Sequence, residues 1–97
     1  MIIRGNEIEE RNGRKPYSLS GLEVVARHFV VRVTTPGNPF EPHQHEQPEL
    51  WYIVEGQAIV SLDGIVHSVA GGDLIAIEPW TEHGLHTEGQ AVWICLG

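Results

Sequence analysis

The sequence predicts an all-β domain of the sandwich or barrel type, and two observations carry that prediction. Short runs of β-branched and aromatic residues are separated by turn signals at intervals of roughly 8–9 residues, the rhythm of such architectures. No segment sustains a helical apolar period, and no helix-turn-helix fits anywhere. With 97 residues, no internal repeat and no linker, the chain suits one domain.

The elements follow in order. Residues 1–21 read as a polar N-terminal arm or irregular edge segment, with Asn12-Gly13 as a turn and Pro16 as a breaker. The barrel is placed at residues 22–97. Its expected strands are 22–26, 27–34, 49–54, 57–62, 65–69, 73–77, 83–87 and 90–96. Glu55-Gly56, Asp63-Gly64, Gly71-Gly72, Pro79 and Glu88-Gly89 separate them. Asp63-Gly64 is the clearest hairpin, because a type I′ turn needs positive φ at both central residues.

Charge is unevenly distributed. The net charge is −7, and all six Lys and Arg residues lie at or before Arg32. Nine acids and five of the six histidines follow it. There is too little positive charge to meet phosphates, which argues against nucleic acid as a partner. Sugar phosphates are disfavoured on the same ground. Arg27 and Arg32 sit five apart on one expected strand and so face opposite sides; at most one points inward. The single Cys95 excludes an intrachain disulfide and reads as a buried apolar residue. No apolar run is long enough for a signal peptide or a membrane span, so the expected location is cytoplasmic. A domain this small buries only about 60–65% of its unfolded surface. A bound metal or a second copy would stabilise it. A homodimer is expected, with the basic N-terminal segment on the partner's acidic barrel.

The chemistry concentrates in Gly37-Asn38-Pro39-Phe40-Glu41-Pro42-His43-Gln44-His45-Glu46-Gln47-Pro48-Glu49. In extended chain, His43 and His45 place both imidazoles on one face. Glu49 opens the next strand and shares parity with Trp51 and Ile53, an apolar face suited to the interior. Glu46 and Gln47 are alternative oxygen ligands. His83 is a candidate fourth ligand from a later strand. Three imidazoles and one carboxylate suit Mn, Fe, Ni, Co or Zn. On a six-coordinate ion they leave two open positions, whereas on zinc they close the site.

These residues resemble the cupin family. Its first motif, G-x5-H-x-H-x3-4-E-x6-G, is matched throughout by Gly37, His43, His45, Glu49 and Gly56. Its second, G-x5-P-x-G-x2-H-x3-N, is matched in part, by Gly72 and His83. Glu78, Trp80 and Thr87 replace its proline, glycine and asparagine, and Pro79 supplies a fixed-φ residue one step late. The resemblance spans about residues 22–96. It implies a single double-stranded β-helix (jelly-roll) barrel with a divalent metal in its mouth. The ligands it implies are His43, His45, Glu49 and His83, and the approach of His83 rests on it. The family includes dioxygenases, isomerases, decarboxylases and metal-free binders, so the fold leaves the reaction open.

Around that set, Glu82 is positioned either to orient the ring of His83 or to be a solvated loop carboxylate. Trp80 either lines the pocket or packs, while Trp51 and Trp93 are assigned to packing. His28, His67 and His86 read as structural or exposed. No nucleophile-base pair is evident. The expectation is a metal-dependent enzyme, dioxygenase-like or isomerase/lyase-like, acting on a small oxygen-chelating substrate. The alternative is a non-catalytic binding or sensory module for a small molecule.

Overall fold

A computed structural model describes residues 7–16 and 26–97. They form eight strands and no α-helix: β1 (Arg14–Pro16), β2 (Phe29–Thr34), β3 (Phe40–His43), β4 (Glu49–Leu62), β5 (Ile65–Ala70), β6 (Leu74–Ile77), β7 (His83–His86) and β8 (Ala91–Leu96). All the pairings are antiparallel. The all-β prediction therefore holds for the described residues. The expected strand 22–26 and the arm-to-barrel boundary fall largely outside them.

The first half of β4 pairs with β8 and β6, and β8 continues to β2 and β1. The second half of β4 pairs with β5 and β7, and β7 continues to β3. One strand thus belongs to both layers and bends the sheet around the interior. The turn expected at Glu55-Gly56 is absent. A bulge between Ile53 and Glu55 carries the chain through, and Gly56 takes φ 92° opposite Ala91. A glycine with positive φ serves a bulge as well as a turn, so the dipeptide alone does not distinguish them. The hairpin at Asp63-Gly64 is as expected, with φ 50° and 80°.

Two strands lie outside the expected set. β1 forms within the polar arm because its backbone pairs with the edge of β2, Lys15 opposite Val31. β3 forms from Phe40-Glu41-Pro42-His43, whose Pro42 conceals the strand pattern; the structure pairs Phe40 with Leu85 and His43 with His83. Gly84 permits that approach: a Cβ there would lie 2.9 Å from the Pro42 ring and 3.1 Å from the Phe40 carbonyl oxygen.

Alternation along β4 buries Trp51 and Ile53 and exposes Leu50, Tyr52 and Val54. Inside, the rings of Trp51 and Trp93 lie 4.5 Å apart and both are fully buried. Phe40 meets each edge-on, at 5.4 and 5.3 Å. The Trp93 indole N–H donates to Thr34 Oγ1 at 2.9 Å, satisfying the one polar atom that packing would strand. Outside, cross-strand registers align Phe29, Leu96, Leu50 and Ala76 in one row, and Val31, Ile94, Tyr52 and Leu74 in the next. On β2, β8, β4 and β6 neither row carries a charged residue; Lys15, opposite Val31, adds one at the β1 edge of the second row.

Candidate metal centre

β3, the loop after it, β4 and β7 converge on three imidazoles. The ring centroids of His43 and His83 are 4.4 Å apart, those of His45 and His83 4.8 Å, and those of His43 and His45 5.4 Å. One nitrogen from each lies within 4.8 Å of the others, a spacing that fits a shared ion. β3 ends at His43, yet the chain stays extended enough for His45 to face the same way.

Hydrogen bonds set the tautomers. His83 Nδ1 donates to the Thr81 carbonyl at 2.6 Å, and His43 Nδ1 donates to the Glu41 carbonyl at 3.1 Å. Each Nε2 is then a bare lone pair, the arrangement metal-binding histidines use. The Nε2 of His83 is buried without any hydrogen-bond partner. Burial also pushes this imidazole below its ordinary pKa, which keeps it neutral. A buried ring with a fixed, unanswered lone pair is placed to accept a cation or a hydrogen-bond donor.

Glu49 stands beside the rings. Its Oε2 is 3.4 Å from His45 Nε2, and its Oε1 is 3.7 Å from His83 Nε2. The Trp51 indole N–H donates to Oε1 at 3.1 Å, so the tryptophan both fills the core and holds the carboxylate. On its other side Glu49 faces His28 and Cys95, whose ligand atoms lie within 4.8 Å of it. The Cys95 thiol is 1% exposed, and its pKa is pushed up to about 12, first by burial and then by the Glu49 charge. It stays protonated.

The remaining predicted residues take different places. Gln47 is exposed and, with Arg27, His28, His45, Pro48, Glu49 and Gly97, lines a cleft of about 430 Å³. Glu82 does not orient His83. The Thr81 carbonyl does that, and the structure turns the Glu82 side chain to solvent. The Glu82 backbone instead exchanges hydrogen bonds with Asp63, at 2.8 and 2.9 Å. Trp80 is 61% exposed, at the third position of a turn closed by Thr81 N–H to the Glu78 carbonyl at 3.2 Å. Its φ of 63° is left-handed, a conformation bulky residues rarely adopt. Its backbone N–H donates to the His45 carbonyl at 2.8 Å, so the strained residue anchors a ring-bearing segment. His67, His86 and Arg27 are exposed; Arg27 precedes β2, so strand parity does not relate it to Arg32, which is half-buried.

Two neighbours take places that the sequence leaves open. His28, expected to be structural or exposed, is half-buried beside Glu49, and of Arg27 and Arg32, of which at most one was expected inward, Arg32 reaches inside over Phe40. Parity carries the signal, since Val30 and Thr34 are buried on the same strand face.

A curled β-barrel with clustered imidazoles at its mouth defines a class of small barrels able to hold one metal ion. Residues 30–97 match the family model of the cupin domain, and the chain belongs to that family. It is 34% identical over 68 residues to dimethylsulfoniopropionate lyase DddW of Ruegeria pomeroyi, covering 68% of this chain and 45% of that protein. The chain thus spans less than half the length of that relative. A predicted oxalate decarboxylase from Thermotoga maritima has a similar structure, with TM-score 0.82 and 21% identity over 99% of this chain and 96% of that one. KdgF from Halomonas sp. superposes with TM-score 0.79 and 24% identity, over 99% and 90% of the two chains. At such identities the two structures show the fold. No helix of the described residues is long and apolar enough to cross a membrane.

Proposed function

We propose that the chain is a metal-dependent enzyme acting on a small substrate that chelates through oxygen, with lyase or isomerase chemistry favoured over dioxygenation. His43, His45, His83 and Glu49 would hold the ion, one of Mn, Fe, Ni, Co or Zn. The observation that carries this is the His83 ring: locked by Thr81, fully buried, with its Nε2 unanswered. The DddW relationship supports the lyase direction. When bound, the ion supplies Lewis acidity toward a carboxylate or enolised oxygen. The chain's own residues do the rest. Trp51 fixes the Glu49 carboxylate, Phe40 packs 4.8 Å from the His43 ring and keeps water from beneath it, and Gln47 and Arg27 offer polar groups at the cleft.

The test is to load metal-free protein with each ion and assay dimethylsulfoniopropionate, oxalate, diketones and unsaturated uronates. Turnover with at least one ion is expected, falling about 100-fold in His45→Ala. No turnover with any ion, together with a closed four-coordinate site by X-ray absorption, would refute the enzyme. Metal-independent binding of a small molecule, unaffected by His45→Ala, would identify a binding module instead.

We also propose a homodimer of two copies joined through the uncharged outer rows of β2, β8, β4 and β6. Leu50 and Tyr52 are each 43% exposed there, and Leu74 is 64% exposed. A net charge of −7 repels copies at most other faces, whereas the rows on these four strands are uncharged and Lys15 stands only at their β1 edge. Light scattering should give a dimer mass at micromolar concentration and a monomer for Tyr52→Glu with unchanged circular dichroism. A monomeric wild type would contradict it.

A further inference from the structure

Beside the imidazoles, β2, β8 and β4 bring an inward-facing row to one end of the sheet. Phe29 and Leu50 both pair with Leu96, so the next positions along that end are His28, Gly97 and Glu49. His28 and Gly97 exchange backbone hydrogen bonds at 2.8 and 2.9 Å, which fixes their pairing. Glycine brings no side chain to the middle of the row, and a Cβ there would stand 3.2 Å from Glu49 Cγ. Two residues back along β8 is Cys95, 1% exposed, paired with Val30 on one side and Trp51 on the other. The row therefore has a gap at Gly97, with an imidazole and a carboxylate at its sides and a thiol at its base.

One ligand atom from each of His28, Glu49 and Cys95 lies within 4.8 Å of the others. The Nε2 of His28 is buried without a hydrogen-bond partner, although the carboxylate and the thiol stand alongside. A buried nitrogen left unpaired in such company requires an explanation, and a shared ion supplies one. The cleft of about 430 Å³ is lined by His28, Glu49 and Gly97 as well as by His45, so the gap is open to solvent. Arg32 is the cation that acts on Cys95, and a carboxylate with a thiolate outweighs its single charge. Beyond Arg32 the chain carries nine acids and no Lys or Arg, a field that favours cations.

We infer that His28, Glu49 and Cys95 form a second metal site, of zinc type, beside the three-imidazole centre, with Glu49 standing between the two. Imidazole, carboxylate and thiolate together suit zinc or cobalt, whereas magnesium and calcium favour oxygen ligands alone. An ion that binds the sulfur displaces the thiol proton to solvent. Three protein ligands on a tetrahedral ion leave one position for water or a substrate atom, and the cleft is where that position opens. The site uses none of His43, His45 and His83. It goes beyond the proposed metal-dependent reading and shares only Glu49 with it.

The experiment titrates metal-free protein with cobalt, followed by absorption, and with zinc, followed by calorimetry, in buffer without added thiol. Wild type is compared with Cys95→Ala, His28→Ala and His83→Ala, and circular dichroism is recorded on each. The wild type should take two equivalents of ion, one of them producing a thiolate-to-cobalt charge-transfer band in the near ultraviolet. Cys95→Ala should abolish the band. Cys95→Ala and His28→Ala should each bind that equivalent at least about 10–100-fold more weakly and leave the other unchanged. His83→Ala should weaken the other equivalent and keep the band. If Cys95→Ala does not fold, His28→Ala carries the test, since His28 is only half-buried. A wild type without a thiolate band overturns the inference, as does a band whose midpoint is the same in His28→Ala. A single equivalent that needs both His83 and Cys95 also overturns it, because one ion then draws on both groups. One His83-dependent equivalent and no band leaves the imidazole centre alone. A band that survives His83→Ala, with no other equivalent to lose, refutes the imidazole reading and retains this site.

Discussion

Replacing His83 by alanine is expected to abolish tight binding of a divalent ion and with it most of the thermal stabilisation that the ion confers. His83 is the deepest of the three imidazoles, whereas His43 is exposed and His45 half-buried. Its tautomer is set by a 2.6 Å hydrogen bond to the Thr81 carbonyl, so its contribution to binding is pre-organised. An ion at about 1,000 times its dissociation constant stabilises a folded protein by about 4 kcal/mol. A 100-fold loss of affinity removes about 2.7 kcal/mol of that, or roughly 10–20 °C in Tm for a domain of this size. Melting curves with and without ion, on wild type and variant, separate this from the packing loss. The ring also fills space against Trp51, at 5.4 Å between centroids, so the metal-free variant should itself melt lower. The diagnostic quantity is the ion-induced shift: large in the wild type and about a third as large in His83→Ala. An equal shift in both proteins would remove His83 from the ligand set.

Much of this centre is legible in the amino-acid sequence, and the reason is periodicity. Two residues of extended chain return a side chain to the same face, which places His43 with His45 and Glu49 with Trp51 whatever the rest of the fold does. Features that depend on the partner strand are not legible there. β3 is defined by its pairing with β7, not by its own Pro-containing sequence. Glu82 adjoins His83 in sequence, yet in strand geometry neighbours point to opposite faces, and a backbone carbonyl two residues back holds the ring. Trp80 draws attention as a ring, whereas its hydrogen bond to His45 comes from the backbone amide of a left-handed residue. Charge and polarity suggest the surface for Arg32 and His28. Strand parity nonetheless turns Arg32 inward.

The continuity of β4 leads to the largest expected stability effect, from Gly56→Ala. At φ 92° an alanine is strained by about 1–2 kcal/mol before any contact is considered. Its Cβ would also overlap the Gln90 carbonyl oxygen and stand 3.0 Å from the Ala91 Cα, both backbone atoms that cannot rotate away. β4 and β8 must separate where Gly56 pairs with Ala91, next to the buried pairing of Ile53 with Trp93. A total loss of about 3–5 kcal/mol follows, comparable with the whole stability of many small domains. Gly89→Ala is the control: nothing lies within 4 Å of a Cβ there, and a change within about 0.5 kcal/mol is expected. Urea unfolding of the three proteins reads both values. The bulge has a second consequence, because Glu49 lies on the half of β4 before it and the pairing of Leu62 with His83 lies on the half after it. A displaced bend shifts the carboxylate relative to the buried imidazole, so any folded fraction of Gly56→Ala should bind a divalent ion more weakly. An unfolding midpoint equal to that of Gly89→Ala would show that the strand bends elsewhere and that Gly56 is an ordinary turn glycine after all.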